Sequence, residues 1–254
     1  MVNSIRKRIT MIKFSRVAWL MWFLIGSAAA GYPETAGSGG LAADTPRAMQ
    51  MRLEGPMGER VSADLDGWLT AAPCANPGML EMFRIRDRKP VPSLVPWAGE
   101  FVGKYLISAI QARRMFEPGS PERQRLDAVI QETIADLLST QAEDGYMGPF
   151  RKEERLLGNW DLWGHYHVMS ALWMWQAETG DAAARDAVLR AADLICRVFL
   201  DTGRRVREAG SAEMNMAVIH ILARLYRDTG RERYLQMARE IEKDWEAEGD
   251  YARQ

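Results

Sequence analysis

Cysteine and histidine are scarce in this chain, which has 254 residues but only two cysteines and three histidines. Cys74 and Cys196 lie far apart and belong to no CxxC or Cys–His spacing, so the sequence predicts no zinc or redox motif. They form either one disulfide in an oxidising compartment or two free thiols in separate helices. The formal net charge is −1, so no basic field points to a nucleic-acid partner, and none is expected. No phosphate-binding loop and no nucleophile–base pair is visible.

The amino-terminal segment is first basic and then apolar, a pattern typical of export signals. Five basic residues precede the apolar run VAWLMWFLIGSAAA (residues 17–30), which ends in small residues. This predicts a signal peptide over residues 1–30, with Met11 as an alternative start, and a flexible linker over residues 31–47. The alternative is a membrane anchor, but the run is shorter than the roughly 20 residues of a span. We therefore expect an exported protein, periplasmic or extracellular, with no stable membrane span after signal cleavage.

From Trp97 onwards the apolar residues recur at helical spacing, and no alternating strand pattern is present in the sequence. Two shorter helices are expected before this point, near Gly58–Thr70 and Pro77–Phe83. The helical spacing predicts six further helices, over Gly99–Phe116, Pro121–Thr140, Leu162–Glu178, Ala182–Leu200, Glu213–Asp228 and Arg231–Glu248.

An internal repeat arranges these helices in pairs. Without a gap, Thr179 and Gly180 align with Thr229 and Gly230, and each unit reads as helix, tight turn, helix. Glycine suits the left-handed residue that ends the first helix of each pair. A weaker third copy begins its second helix at Pro121, a residue favoured at the first helical position. The sequence therefore predicts three helical hairpins.

The connections alternate between short turns and long loops, over Gln141–Asp161 and Asp201–Ala212. In a stack of antiparallel hairpins, all long loops lie at the same end. The third helix is apolar on nearly all sides and is predicted to lie in an inner layer, whereas the second, fourth and sixth helices form an outer layer. The fold class is therefore all-α, and residues 48–254 are predicted to be part of an α/α toroid with three of the six hairpins of a ring.

The long-loop end is where we expect a site, because long ordered loops often carry function. Aromatic rings there offer flat faces to a sugar, and carboxylates bind its hydroxyls. His220 is expected in the core, and no catalytic residue or metal ligand is predicted. The candidate substrate-binding residues are Trp97, Glu100, Tyr146, Asp161, Trp163, His165, His167, Glu213 and Asn215.

Each candidate also has a structural interpretation. Asp161 is favoured as a helix cap, and Glu100 is placed to pair with Lys104 four residues later. His165 and His167 point in different directions on a helix and cannot chelate one metal side by side. One histidine is therefore expected to face the site and the other to bond inside the bundle. His167 is favoured for the site, with His165 as the alternative.

Several motifs, in order, resemble the amino-terminal half of glycoside hydrolase family 127, the β-L-arabinofuranosidase-like group. They are PWAGEFVGKYL, TQAEDGYMGPF, LLGNWDLWGHYHVMSALW, ETGDAAARDAVLRAADLIC and LYRDTGRERYLQMAREI. The resemblance begins near Leu65 and implies an (α/α)6 toroid that hydrolyses terminal β-L-arabinofuranosides or related plant or algal glycans. It implies that Glu100, Asp161, Glu213 and one of the two histidines line the sugar pocket. The family's Tyr-x-x-His-Lys run reads WGHYHV here.

The resemblance also implies parts that have no counterpart in this chain. Family enzymes use a cysteine nucleophile, a glutamate acid/base and a zinc site of cysteines and glutamate, all on later helices. We therefore expect a truncated fragment that binds no cofactor and is inactive by itself, with a glycan as its partner. The alternatives are a non-catalytic helical-repeat module that binds a glycan or peptide, and a different toroid enzyme such as a polysaccharide lyase.

Overall fold

The computed structural model describes residues 50–247, which belong to the second of two compact units, residues 46–254. The predicted signal peptide and linker lie outside the described residues and stay predictions. Between residues 50 and 247 all regular structure is helical and no residue is in a β-strand, which confirms the all-α fold class. In the same range, no helix has the length and apolar character needed to cross a bilayer.

The described region contains ten α-helices and several shorter helical turns. The helices are α1 (Gly55–Asp64), α2 (Ala72–Ala75), α3 (Gly78–Arg84), α4 (Phe101–Arg113), α5 (Pro121–Ser139), α6 (Asp161–Thr179), α7 (Ala182–Phe199), α8 (Ala212–Asn215), α9 (Ile219–Thr229) and α10 (Glu232–Glu246). A π-helix, Leu65–Leu69, continues α1. The 3-10 turns are Ala98–Glu100, Lys152–Glu154, Val206–Glu208 and Met216–Val218.

Three hairpins form two layers, as the sequence predicts. The inner layer contains α4, α6 and α9, with α6 packed against both of the others, and the outer layer contains α5, α7 and α10, with α7 in the middle. Helix α6 buries side chains on most of its circumference because it also packs against α7. The hairpins are α4–α5, α6–α7 and α9–α10.

The two Thr-Gly turns of the repeat have the same hydrogen bonds. Gly180 and Gly230 end α6 and α9 in the left-handed conformation, with φ of 77° and 69°. The hydroxyls of Thr179 and Thr229 each donate to the carbonyl four residues earlier and accept the N–H two residues later. The turns therefore satisfy their own polar groups, and the predicted hairpin repeat is confirmed.

Glycines allow the inner helices α4 and α6 to approach each other at backbone distance. A Cβ atom on Gly103 would lie 2.5 Å from the carbonyl carbon of His167 and from the nitrogen of Val168. One turn earlier, a Cβ on Gly164 would lie 3.1 Å from the carbonyl carbon of Gly99. Any side chain at position 103 would force the two helices apart, because neither contact is with a flexible group.

The fifth predicted helix is interrupted, which the apolar spacing did not predict. Instead of one helix over Glu213–Asp228, the chain forms α8, a 3-10 turn over Met216–Val218, and α9. The last residue of α8, Asn215, is fully buried, and its amide donates to the carbonyls of Asn159 and Ala209. These contacts hold α8 against two loops, and the chain turns before it continues as α9.

Candidate functional site

The starts of α4, α6 and α8 meet at the long-loop end. The N–H of Trp160 donates to the carbonyl of Pro96 at 3.0 Å, and the rings of Trp97 and Trp160 lie 5.5 Å apart between centroids. Asn215 accepts the N–H of Trp163 at 3.2 Å. The prediction that the segments next to the long loops gather at one end of the hairpins is therefore confirmed.

A carboxylate, an ammonium group and an indole lie in contact with one another at this rim. Glu100 accepts a hydrogen bond from the indole N–H of Trp163, and its other oxygen lies 2.8 Å from the Nζ atom of Lys104. That Nζ atom also lies 5.4 Å from the centroid of the Trp163 ring, within range of a cation–π interaction. The Glu100–Lys104 pair expected from the spacing is present. We call Trp97, Glu100, Lys104, Trp163 and His167 the rim site.

His167 contributes buried polar atoms without partners to the rim site. Its ring lies edge-on to Trp163 at 4.4 Å and 4.8 Å from Tyr166, and among the described residues neither ring nitrogen has a hydrogen-bond partner. Burial and the nearby Lys104 ammonium lower the pKa of His167 to about 4, against an opposing effect of Glu100. At neutral pH the imidazole is uncharged, so one nitrogen can donate a hydrogen bond and the other can accept one.

His165 has a different environment from His167. It is fully buried, its Nδ1 lies 2.9 Å from the carbonyl of Asp161, and its Nε2 accepts the N–H of Met147 at 3.2 Å. The histidines thus separate as their spacing predicts: one bonds inside the bundle and the other carries the unpartnered atoms next to Glu100. The third histidine, His220, is exposed, and its expected core position is wrong, because the buried face of α9 is formed by Ile221, Leu222 and Leu225.

Asp161 is the centre of a buried network beneath the rim. Its carboxylate is fully buried and accepts the N–H of Leu156 at 2.8 Å and the hydroxyl of Tyr146 at 3.0 Å. The Tyr146 oxygen accepts the N–H of Phe150 at 3.0 Å. Burial and the Asp161 carboxylate raise the pKa of Tyr146 well above its usual value, so the phenol remains a donor. The expected capping role of Asp161 is wrong, because Trp160 takes the cap position and no side chain caps α6.

The loop before α6 contains two non-glycine residues in the left-handed conformation. These are Leu156, with φ of 62°, and Asn159, with φ of 53°. Such conformations cost on the order of 1–2 kcal/mol each and persist where surrounding contacts hold them. Here Asp161 binds the N–H of Leu156, and Asn215 binds the carbonyl of Asn159. The buried side chains therefore hold the loop that places Trp160 against Trp97.

Arg155 is part of this support, although the sequence interpretation missed it. Its guanidinium lies 4.5 Å from the centroid of the Tyr146 ring and forms ion pairs with Asp144 at 3.3 Å and Asp87 at 3.2 Å. The sequence gives no sign of these contacts, because Arg155 lies in a predicted loop and its partners are distant along the chain or in turns. Lys104, in contrast, is recognisable in the sequence as the partner of Glu100, although it is not among the nine predicted site residues.

The nine candidates therefore fall into two groups. Tyr146, Asp161, His165 and Asn215 are fully buried and support the rim from below. The others reach the surface or its edge: Trp97 is 39% exposed, Glu100 and His167 are 8% and 9% exposed, and Trp163 and Glu213 are half-buried. Glu213 lies in α8, two positions before the buried Asn215. No hydrogen bond of its side chain is found within residues 50–247.

The cysteines of the described region do not fit a zinc site. Cys74 is exposed and Cys196 is buried in α7, where its thiol donates to the carbonyl of Arg233 at 3.8 Å. Burial raises the pKa of Cys196 to about 11, which opposes thiolate formation. Between residues 50 and 247 no group of three or more His, Cys, Asp or Glu side chains is placed to hold a metal ion.

Two layers of helical hairpins, with aromatic and carboxylate side chains gathered at one end, define a domain of the α/α-toroid class. The family model of the β-L-arabinofuranosidase GH127 catalytic domain matches residues 63–251. The chain therefore belongs to the GH127 catalytic-domain family, and the resemblance seen in the sequence motifs is confirmed.

A solved structure supports the same fold. The crystal structure of a GH127 β-L-arabinofuranosidase from Geobacillus stearothermophilus T6 is similar, with a TM-score of 0.54 and 21% sequence identity. The match covers 72% of this chain and 30% of that chain, so this chain spans less than a third of that protein's length. A search of curated proteins gave no match.

Proposed function

We propose that residues 50–247 form a sugar-binding wall of a GH127-type glycoside hydrolase that acts on terminal β-L-arabinofuranosides or related plant or algal glycans. The observation that carries this proposal is the rim site. There Glu100, held by Lys104 and Trp163, lies in the same cluster as the unpartnered nitrogens of His167. Ordered acceptors and donors beside aromatic rings suit a neutral ligand with many hydroxyls.

Each group of the rim site has a role that its chemistry allows. Glu100 accepts hydrogen bonds from sugar hydroxyls, and such bonds to a charged acceptor are stronger than neutral ones. His167 is uncharged above its pKa of about 4 and offers a donor and an acceptor. The exposed ring of Trp97 offers a flat apolar face to the carbon–hydrogen face of a furanose.

We further propose that this chain binds the sugar but does not hydrolyse it. Hydrolysis by the two-group mechanism needs a nucleophile and an acid/base on opposite sides of the glycosidic bond. Cys196 is buried with a raised pKa, and Cys74 lies on α2, outside the rim site. The described residues therefore supply recognition, and a nucleophile would have to come from elsewhere.

Calorimetric titration of the full chain with methyl β-L-arabinofuranoside tests the proposal. We expect saturable binding that Glu100→Gln weakens about tenfold or more, because a charged acceptor is lost. Glu242→Gln, at an exposed position on α10, should leave the affinity unchanged. The α-anomer serves as the ligand control. Absence of binding would overturn the proposal, and release of arabinose from a chromogenic β-L-arabinofuranoside would overturn its non-catalytic part.

We also propose that the chain is exported to the periplasm or beyond, on the support of the basic and apolar segment over residues 1–30. Expression of the full chain in a bacterial host, followed by fractionation and amino-terminal sequencing, tests this. A periplasmic or secreted product that begins near residue 31 is expected. A cytoplasmic product that retains residues 1–30 would contradict it.

A further inference from the structure

A concave surface adjoins the rim site and shares Lys104 with it. It has a volume of about 510 Å³, within the range of roughly 300–1,000 Å³ that ligand pockets have. We call it the α4 groove. Its lining includes Trp68, Asn76, Met79, Phe101, Lys104 and Ser108. Phe101 follows Glu100 directly in the chain, and Lys104 is shared by the groove and the rim site.

Two aromatic side chains in the α4 groove are exposed. Trp68 is 51% exposed and Phe101 is 41% exposed. Trp68 lies in the π-helix Leu65–Leu69, whose wide turn is closed by a hydrogen bond from the N–H of Thr70 to the carbonyl of Leu65 at 3.1 Å. The π-helix is rare and is found frequently at functional sites. Both rings therefore offer apolar faces to solvent, beside the site already described.

The polar groups of the α4 groove are suited to a neutral ligand. No carboxylate is among its lining residues, and its one ammonium group, on Lys104, is balanced by Glu100. Asn76 donates to the carbonyl of Ala72 through its amide nitrogen, which leaves its amide oxygen as an acceptor. Ser108 donates to the carbonyl of Lys104, which leaves lone pairs on the hydroxyl oxygen. Aromatic faces combined with neutral acceptors suit a sugar ring better than an ionic group.

We propose that the α4 groove binds the second sugar of a neutral oligosaccharide, the residue to which the terminal furanoside is attached. This inference rests on the proposed function of the rim site, because the terminal sugar there would place its neighbour across Lys104. In this arrangement Trp68 and Phe101 contact the ring of the second sugar, and Asn76 and Ser108 accept hydrogen bonds from its hydroxyls. Lys104 donates to both sugars.

The experiment compares two ligands on the full chain by calorimetric titration: methyl β-L-arabinofuranoside and a disaccharide of β-L-arabinofuranose. Trp68→Ala should weaken binding of the disaccharide about fivefold to tenfold, the scale of one aromatic contact, and should change binding of the methyl glycoside less than about twofold. Trp245→Ala, a matched change of a tryptophan that is 47% exposed on α10, should affect neither ligand.

A second variant tests the α4 groove independently, in case Trp68→Ala does not fold. Ser108→Trp adds bulk at an exposed position of the α4 groove and should produce the same selective loss, with an unchanged melting temperature. If the wild-type chain binds both ligands and neither variant separates them, the second-sugar site is refuted while the rim site stands. If the wild-type chain binds neither ligand, the proposed function fails and this inference fails with it.

Discussion

The two ends of the same helical hairpins differ in how they treat polar groups. At the short-turn end, glycine takes the left-handed positions, and the hydroxyls of Thr179 and Thr229 bond to their own turns. At the long-loop end, Leu156 and Asn159 take left-handed positions without being glycine, and His167 has two buried nitrogens without described partners. One end is locally self-sufficient, whereas the other depends on distant contacts.

This difference supports the proposal that the long-loop end binds a ligand. Strained backbone and unpartnered buried atoms persist where surrounding structure holds them, and they concentrate at functional sites. At the long-loop end the holding groups are Asp161, the first residue of α6, and Asn215, the last residue of α8, and each is bound to a loop. The short turns need no such support because their contacts span only a few residues.

The largest expected effect comes from removing the central support of the long-loop end. Asp161→Ala leaves the N–H of Leu156 and the hydroxyl of Tyr146 without a buried acceptor, so the free energy of unfolding should fall by about 3–5 kcal/mol. Urea denaturation followed by circular dichroism measures this loss. Asp186→Ala, whose side chain is 71% exposed, should cost less than about 0.5 kcal/mol. If both variants lost the same free energy of unfolding, Asp161 would not be a central support of the long-loop end.

An intermediate effect is expected at the short-turn end. No heavy atom lies within 4 Å of a Cβ added to Gly180 or Gly230, so an alanine there meets only the backbone penalty of the left-handed conformation. Gly180→Ala and Gly230→Ala should each lower the free energy of unfolding by about 1–2 kcal/mol, and the double variant should show the sum.

Gly78 provides the control for these alanine substitutions. It is equally unobstructed but has no positive φ, so Gly78→Ala should leave stability unchanged or raise it slightly. Thermal unfolding of the four variants measures the comparison. A markedly larger cost at one of the two turns would show that the repeat units are not equivalent.

The smallest expected effect is the pH dependence that His167 contributes. Its pKa is about 4 in the folded chain and about 6.5 when unfolded. The unfolded state therefore binds more protons between these values, and stability is lost as the pH falls from about 6.5 to about 4. Over the single pH unit from 6.5 to 5.5 the loss should be about 1 kcal/mol. His167→Leu should abolish it, while His220→Leu, at an exposed position, should retain it. An unchanged pH profile in His167→Leu would contradict the burial of a neutral imidazole.

The sequence predicts most of the architecture because hairpins leave periodic signals. Apolar spacing places the inner and outer helices, and the repeated Thr-Gly pair places the short turns. The alternation of loop lengths was sufficient to predict that Trp97, Asp161 and Asn215 lie at one end. Each of these signals is local or repeats at a fixed interval, so no knowledge of tertiary contacts is needed.

The details of the site could not be predicted, because they depend on contacts between distant loops. The interruption of the fifth helix follows from the bonds of Asn215 to Asn159 and Ala209, and residue spacing does not reveal such bonds. Asp161 looks like a helix cap in sequence but binds a loop residue instead. Leu156 takes a left-handed conformation although leucine does not favour one, so the residue type does not predict it.

The backbone contact at Gly103 sets the distance between the two helices that carry most of the rim site. Because α4 touches the main chain of α6 there, the distance between the segments that carry Glu100 and His167 is set by backbone dimensions and not by the volume of any side chain. Side chains of the rim site can therefore be exchanged while the spacing between these helices stays constant. Position 103 itself accepts only glycine, because a Cβ atom there would meet the main chain of α6.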